Sequence, residues 1–221
     1  MSAPRFLLIS LGNPEPHYNT LHSAGHHALN SLQKLLGPSQ PAFHRGRFGG
    51  SSCLASIGPK YAMIQSPSVM NVTGKWLAKA WKETLGTRNP ADLSLILVHD
   101  DLEEDLGFVK TRKWKSSHRG HNGIKSVNNC LREADYPESK WARIAVGIGR
   151  PDQRDHSTVS NYVLKRMTKD QWSALETNGG PGVLECLLAF EEKLDAAAQR
   201  GSEVSEASPS SPPLPHTLGA R

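Results

Sequence analysis

Apolar residues fall in short dense runs broken by Gly, Pro and Asn, with helical periodicity between the runs. Residues 5–11, RFLLISL, predict a buried strand ended by Gly12-Asn13-Pro14. Over residues 23–36, Ala28, Leu29, Leu32, Leu35 and Leu36 recur on one side, which predicts a helix. GSSCLASI and KYAMIQS predict two strands joined at Gly58-Pro59. Residues 72–85 predict a helix, and Arg88-Asn89-Pro90 ends that region. LSLILVHD is a continuous apolar run, as expected of a central strand covered on both faces. FVKTRKW predicts another strand, residues 121–133 a helix, WARIAVGIG a further strand, and residues 168–196 a helix interrupted at Gly179-Gly180-Pro181. Strands alternating with helices imply one α/β domain with a central sheet, over residues 1–197. From Ala198 onward Ser and Pro dominate and little could form a core, so residues 198–221 are expected to be a disordered tail.

The length of 221 residues suits one domain with a sizeable core. No apolar run approaches the roughly 20 residues that span a bilayer. The first apolar run is too short for a typical signal peptide and no small-residue cleavage site follows it. The expected compartment is therefore cytoplasmic, with mitochondrial import left open. Cys53, Cys130 and Cys186 are odd in number and widely spaced, which fits free thiols rather than a disulfide framework or zinc site. The net charge of +5 is unevenly spread. Between Asp105 and Glu133 no acid occurs, yet Lys110, Arg112, Lys113, Lys115, Arg119, Lys125 and Arg132 do, with Trp114 among them. Such a stretch suits a phosphate backbone, and equally an ordinary solvated face.

Four polar clusters stand at or near element ends, where α/β folds collect their chemistry. They are Gly12-Asn13-Pro14 followed by His22, Met70-Asn71, His99-Asp100-Asp101, and Gly120-His121-Asn122-Gly123. Each alone is ordinary turn or cap chemistry. Together they could activate water: a neutral His takes the proton, an Asp orients it, and Asn amides hold a carbonyl and its developing oxyanion. No covalent nucleophile stands out. His22 and His26 have the spacing of a zinc-binding helix, but Ser23 replaces the Glu such a motif needs, so no metal and no cofactor is expected.

These motifs resemble the bacterial-type peptidyl-tRNA hydrolase family, in a eukaryotic, fungal-looking form. LGNPEPHYNTLHSAGH, SPSVMNVTG, LVHDDLEEDLG, HRGHNGIKSV, WARIAVGIGRP and NYVLKRMTKDQ follow the family's order from about residue 5 to 195. The resemblance implies a single α/β/α domain around a twisted mixed sheet. It implies hydrolysis of the ester joining a peptide to the tRNA 3′-terminal ribose, with peptidyl-tRNA as the partner; a monomer is expected. By motif, His22 is the general base, Asp100 its orienting carboxylate, and Asn13 the group that recognises the acylated amine. Asn71 and Asn122 hold the peptide backbone, the water or the 3′ end. Tyr18, Val69 and Met70 line the site, with His121 a secondary binding residue. A phosphate clamp falls to Lys110 and Arg112 with Arg143, although an adjacent alignment puts Ala145 in the last place. Departures from the family pattern are Leu21 for Arg, Ser23 for Asn, Val69 for an aromatic, and Lys113 to Arg119 for a Gly-rich approach to GHNG. The competing functions are an RNA-binding protein of this fold without hydrolysis, and an ordinary peptidase or small-molecule hydrolase.

Overall fold

The computed structural model describes residues 4–206, with side chains to residue 200. Seven strands form one mixed sheet: β1 (Phe6–Ser10), β2 (His44–Phe48), β3 (Ser51–Ile57), β4 (Tyr61–Gln65), β5 (Ser94–Asp101), β6 (Val109–Lys113) and β7 (Trp141–Gly147). Their order is β2-β3-β4-β1-β5-β7-β6. The four central strands run parallel, while β2 and β3 on one side and β6 on the other add antiparallel edges. Every residue of β1, β4, β5 and β7 is buried, as continuous apolar runs require. The helices are α1 (Ala24–Leu36), α2 (Thr73–Leu85), α3 (Asn122–Cys130), α4 (His156–Leu164) and α5 (Lys169–Glu206). By contact the chain divides into residues 1–186, with the whole sheet, and residues 187–221, of which 187–206 are the remainder of α5. No helix among the described residues is long and apolar enough to cross a membrane.

One core cluster joins Leu7, Ile9, Leu95 and Leu97 of the sheet to Leu77 and Trp81 of α2 and Ile124 and Val127 of α3. Trp81 is fully buried and meets Trp141 and Tyr136 edge-on, at centroid distances of 5.1 and 5.4 Å. Trp114 belongs to this cluster, 4.8 Å from Trp141. The aromatic that seemed interleaved with surface cations is thus a core residue.

Two elements differ in extent from their sequence patterns. Residues 121–133 do not make one helix: α3 stops at Cys130 because Leu131 turns extended and buries its side chain. The expected break at Gly179-Gly180-Pro181 is absent, and α5 runs through it. The glycines serve a close approach instead, since a Cβ on Gly180 would lie 2.5 Å from Ser31 Oγ and 2.7 Å from the Ser31 carbonyl carbon of α1. The helix also passes the expected boundary at residue 197 and reaches Glu206, while residues 207–221 of the expected tail lie outside the described residues.

Candidate active site

Parallel neighbours end at the same edge of a sheet, so the loops after β4, β1 and β5 converge. Met70 and Asn71 follow β4, Asn13 follows β1, and Asp100 is the last residue but one of β5. This is where open α/β sheets present ligand sites. His22 lies in a 3-10 turn, Leu21–Ser23, just before α1. Its position depends on Gly25, where a Cβ would fall 2.5 Å from the Val98 carbonyl oxygen of β5. Without a side chain at Gly25, the first turn of α1 rests directly on β5 and brings His22 beside Asp100.

The His22 Nδ1–H reaches both Asp100 oxygens at 3.0 Å. Its Nε2 has no hydrogen-bond partner among the described residues, so its lone pair is available to a proton. Burial opposes the imidazolium form of His22, but the Asp100 charge and hydrogen bond outweigh it and raise the pKa above the ordinary 6.5. Asp100 is buried, which disfavours its charge. The charges and hydrogen bonds of His22 and His121 more than reverse that and hold its carboxyl well below the usual carboxylate range.

His121 is the second donor to Asp100, with Nε2 2.9 Å from Oδ1. It is also the N-cap of α3, its Nδ1 accepting from the Gly123 and Ile124 amides at 3.1 and 3.3 Å. Backbone N–H groups can only donate, so Nδ1 is an acceptor and the proton shared with Asp100 sits on Nε2. His121 was expected as a binding residue; the structure gives it a bond to the carboxylate itself. A His N-cap is an uncommon choice, and only the fold brings its ring within reach of β5.

The same logic orients Asn13. Its Oδ1 accepts from the Met70 amide at 2.9 Å, which settles the amide flip and leaves Nδ2 facing outward as a donor. Its backbone amide is held by Ser23 Oγ at 2.9 Å, a tie the sequence did not disclose. Met70 is buried, whereas Val69, Asn71 and Asn122 are exposed beside the site. Tyr18 stacks on His26 at 5.5 Å and places its hydroxyl between Gln65 and Asn30.

Among the described residues, His22, Asp100 and His121 present ligand atoms within 4.8 Å of one another. A metal there would need the lone pair of His121 Nε2, which moves the proton to Nδ1 and against the two α3 amides. His26 is no co-ligand: its Nδ1 bonds Ser10 Oγ at 2.8 Å, and burial followed by the charge of His27 pushes its pKa down to about 3. Burial, then His121, likewise push His99 down to about 3.

The three residues expected to clamp a phosphate all have partners inside the protein. Arg143 is buried, and its Nη2 donates to the carbonyls of Lys113, Ser116 and Ser117. It organises the loop after β6 and has no surface for a phosphate. Arg112 donates to Asp101 at 2.8 Å and Glu104 at 3.2 Å, and Lys110 pairs with Glu104 at 2.6 Å. The stretch is free of acids only along the chain, because the turn after β5 folds Asp101 and Glu104 back onto it. Lys113, Lys115, Arg119 and Lys125 remain exposed.

Residues 7–208 match the family profile described as peptidyl-tRNA hydrolase. The chain is 33% identical over 174 residues to a probable peptidyl-tRNA hydrolase of Schizosaccharomyces pombe, covering 78% of this chain and 76% of that protein. It is 34% identical over 190 residues to a peptidyl-tRNA hydrolase of Anaeromyxobacter sp. (strain K), covering 84% and 90%. The crystal structure of peptidyl-tRNA hydrolase from Acinetobacter baumannii superposes with a TM-score of 0.60 over 89% of this chain and 94% of that one, at 19% identity, a likeness of fold. This chain belongs to the peptidyl-tRNA hydrolase family.

Proposed function

We propose that this protein hydrolyses the ester between a peptide, or an N-blocked amino acid, and the 3′-terminal ribose of tRNA, with His22 as general base. The observation that carries the reading is the buried His22–Asp100 pair, with Nε2 free of a hydrogen-bond partner among the described residues, in a member of this family. Nε2 takes a proton from water as the water oxygen adds to the ester carbonyl. Asp100 holds the productive tautomer and stabilises the imidazolium that forms. The Asn13 Nδ2 donor suits the peptide carbonyl next to the ester, and Asn71 and Asn122 supply amides for the oxyanion or backbone. As the tetrahedral intermediate collapses, the imidazolium returns its proton to the departing ribose oxygen.

Water is the nucleophile. Burial pushes the Cys53 thiol up to about 11, and the Cys186 thiol is raised by burial as well. The reaction is metal-independent in this reading, since the His121 cap opposes ligation at the cluster of three ligand atoms found among the described residues. A tRNA-binding protein without hydrolysis would leave the His22–Asp100–His121 assembly without a task. Single-turnover hydrolysis of N-acetyl-aminoacyl-tRNA, before and after EDTA treatment and desalting, tests both points. Equal rates are expected. No hydrolysis would overturn the reading, and loss restored by zinc would overturn the metal-free mechanism.

A further inference from the structure

Asn13 also lines a recess bounded by β4, β3 and β2, away from His121 in the order of the strands. This recess, of about 340 Å³, runs from Asn13 past Tyr18, Gln65 and Pro67 to Leu54 and Arg45, which face each other across β3 and β2. Its volume is in the range of small-molecule subsites, of the order of 300 Å³ and above. Much of its polar lining is already satisfied: the Tyr18 hydroxyl donates to Gln65 Oε1, and Gln65 Nε2 donates to Asn30. Among the described residues, Asn13 Nδ2 and the exposed Arg45 guanidinium, at its two ends, are donors without a hydrogen-bond partner. A ligand lying along the recess can offer acceptors to both.

Two observations choose among acceptor-bearing ligands. Glu15 also lines the recess, so the Arg45 charge is balanced and the pocket suits a neutral chain better than a phosphate. The exposed cations Lys113, Lys115 and Arg119 belong to β6 and the loop after it, at the opposite end of the strand order from β2. The substrate's two halves leave the scissile ester in different directions. With the polyanionic half toward the β6 cations, the acyl half is left the recess on the β1–β4–β3–β2 side.

We propose that this recess is the subsite for the peptide residues N-terminal to the esterified one, with Asn13 and Arg45 donating to backbone carbonyls and Leu54 supplying an apolar floor. The inference rests on the hydrolase reading above and names where that substrate's peptide lies. Two substrates on the same tRNA test it, N-acetyl-glycyl and N-acetyl-tetraalanyl, with Leu54→Trp to fill the recess and Arg45→Ala to remove the outer donor. The ratio of kcat/KM for the long substrate over the short one is expected to fall about tenfold in Leu54→Trp and severalfold in Arg45→Ala. Any loss of folded protein lowers both values together and cancels in the ratio. Free N-acetyl-tetraalanine should inhibit the wild type and lose that inhibition in Leu54→Trp, while the trinucleotide CCA inhibits both proteins alike. An unchanged ratio overturns the subsite. So does a trinucleotide that loses inhibition where the peptide keeps it, since that places the 3′ nucleotides in the recess. A wild type that turns over neither substrate overturns the hydrolase reading, and the subsite with it.

Discussion

His22 has to be neutral to accept a proton, and its surroundings decide at what pH that holds. Asp100 raises its pKa above 6.5 against the opposing effect of burial. Below that pKa the ring is a cation with no free lone pair, so kcat/KM should fall on the acid side with an apparent pKa above 6.5. In Asp100→Asn the raising charge disappears, at most a neutral hydrogen bond is left, and burial remains, so the acid limb should move to lower pH as kcat drops. A pH–rate profile of the two proteins checks the sign, and a limb that stays in place would remove His22 as the titrating base. His22→Ala should lower kcat by about 10³-fold, within the range general-base catalysis supplies, with tRNA affinity nearly unchanged. Asp100→Asn should cost less than His22→Ala, because orientation supports the base without replacing it. A His22→Ala protein with half the wild-type kcat would sink the assignment.

At the scale of elements, two substitutions separate packing from propensity and charge. Gly180 lies inside α5, where helix propensity alone makes Gly→Ala favourable by about 1 kcal/mol. The new Cβ would stand 2.7 Å from a backbone carbon of α1. Backbone cannot swing aside like a side-chain tip, and overpacking of this kind costs about 1–3 kcal/mol. Gly180→Ala should therefore destabilise the protein, seen as a lower urea midpoint, and a higher midpoint would show that the two helices separate easily. Arg112→Ala leaves Asp101 and Glu104 without their shared guanidinium beside β6. It should cost about 2 kcal/mol of stability, discounted because the pairs are only partly buried.

Over the whole molecule, the tertiary arrangement sorts the basic stretch into internal and free charges. Lys110, Arg112 and Arg143 have partners inside the protein, whereas Lys113 and Lys125 are exposed without ion pairs among the described residues. Counterion release predicts that each lost phosphate contact flattens the slope of log affinity against log salt by about 0.7–0.9. Lys113→Ala and Lys125→Ala should each do so and weaken different tRNAs alike, since phosphates carry no base identity. Arg112→Ala should leave the slope in place. Affinities at several salt concentrations decide the matter, and a flattened slope for Arg112→Ala would return that residue to the phosphate surface.

Most strands and helices were legible in the sequence because each signal is local. RFLLISL and LSLILVHD are apolar on both faces and can only be interior strands, and α1 and α2 show their periodicity within 13 residues. The edge strand HRGRF and helix α4 were not legible, since β2 is mostly exposed and α4 buries Val163 alone. Such elements take their form from neighbours rather than from an apolar pattern. The residues of the candidate site could be named from motif order, but their pairing could not. The bond from His22 to Asp100 spans 78 positions, and it exists because β1 and β5 are parallel neighbours and Gly25 lets α1 rest on them. The free proton site of His22 and the outward Nδ2 of Asn13 each follow from a carboxylate or backbone amide distant in sequence, while the tautomer of His121 follows from its own cap on the first amides of α3. Charge misled for the same reason: sequence shows which residues carry it, and only folding, by returning Asp101 and Glu104 to β6, decides which charges still face water.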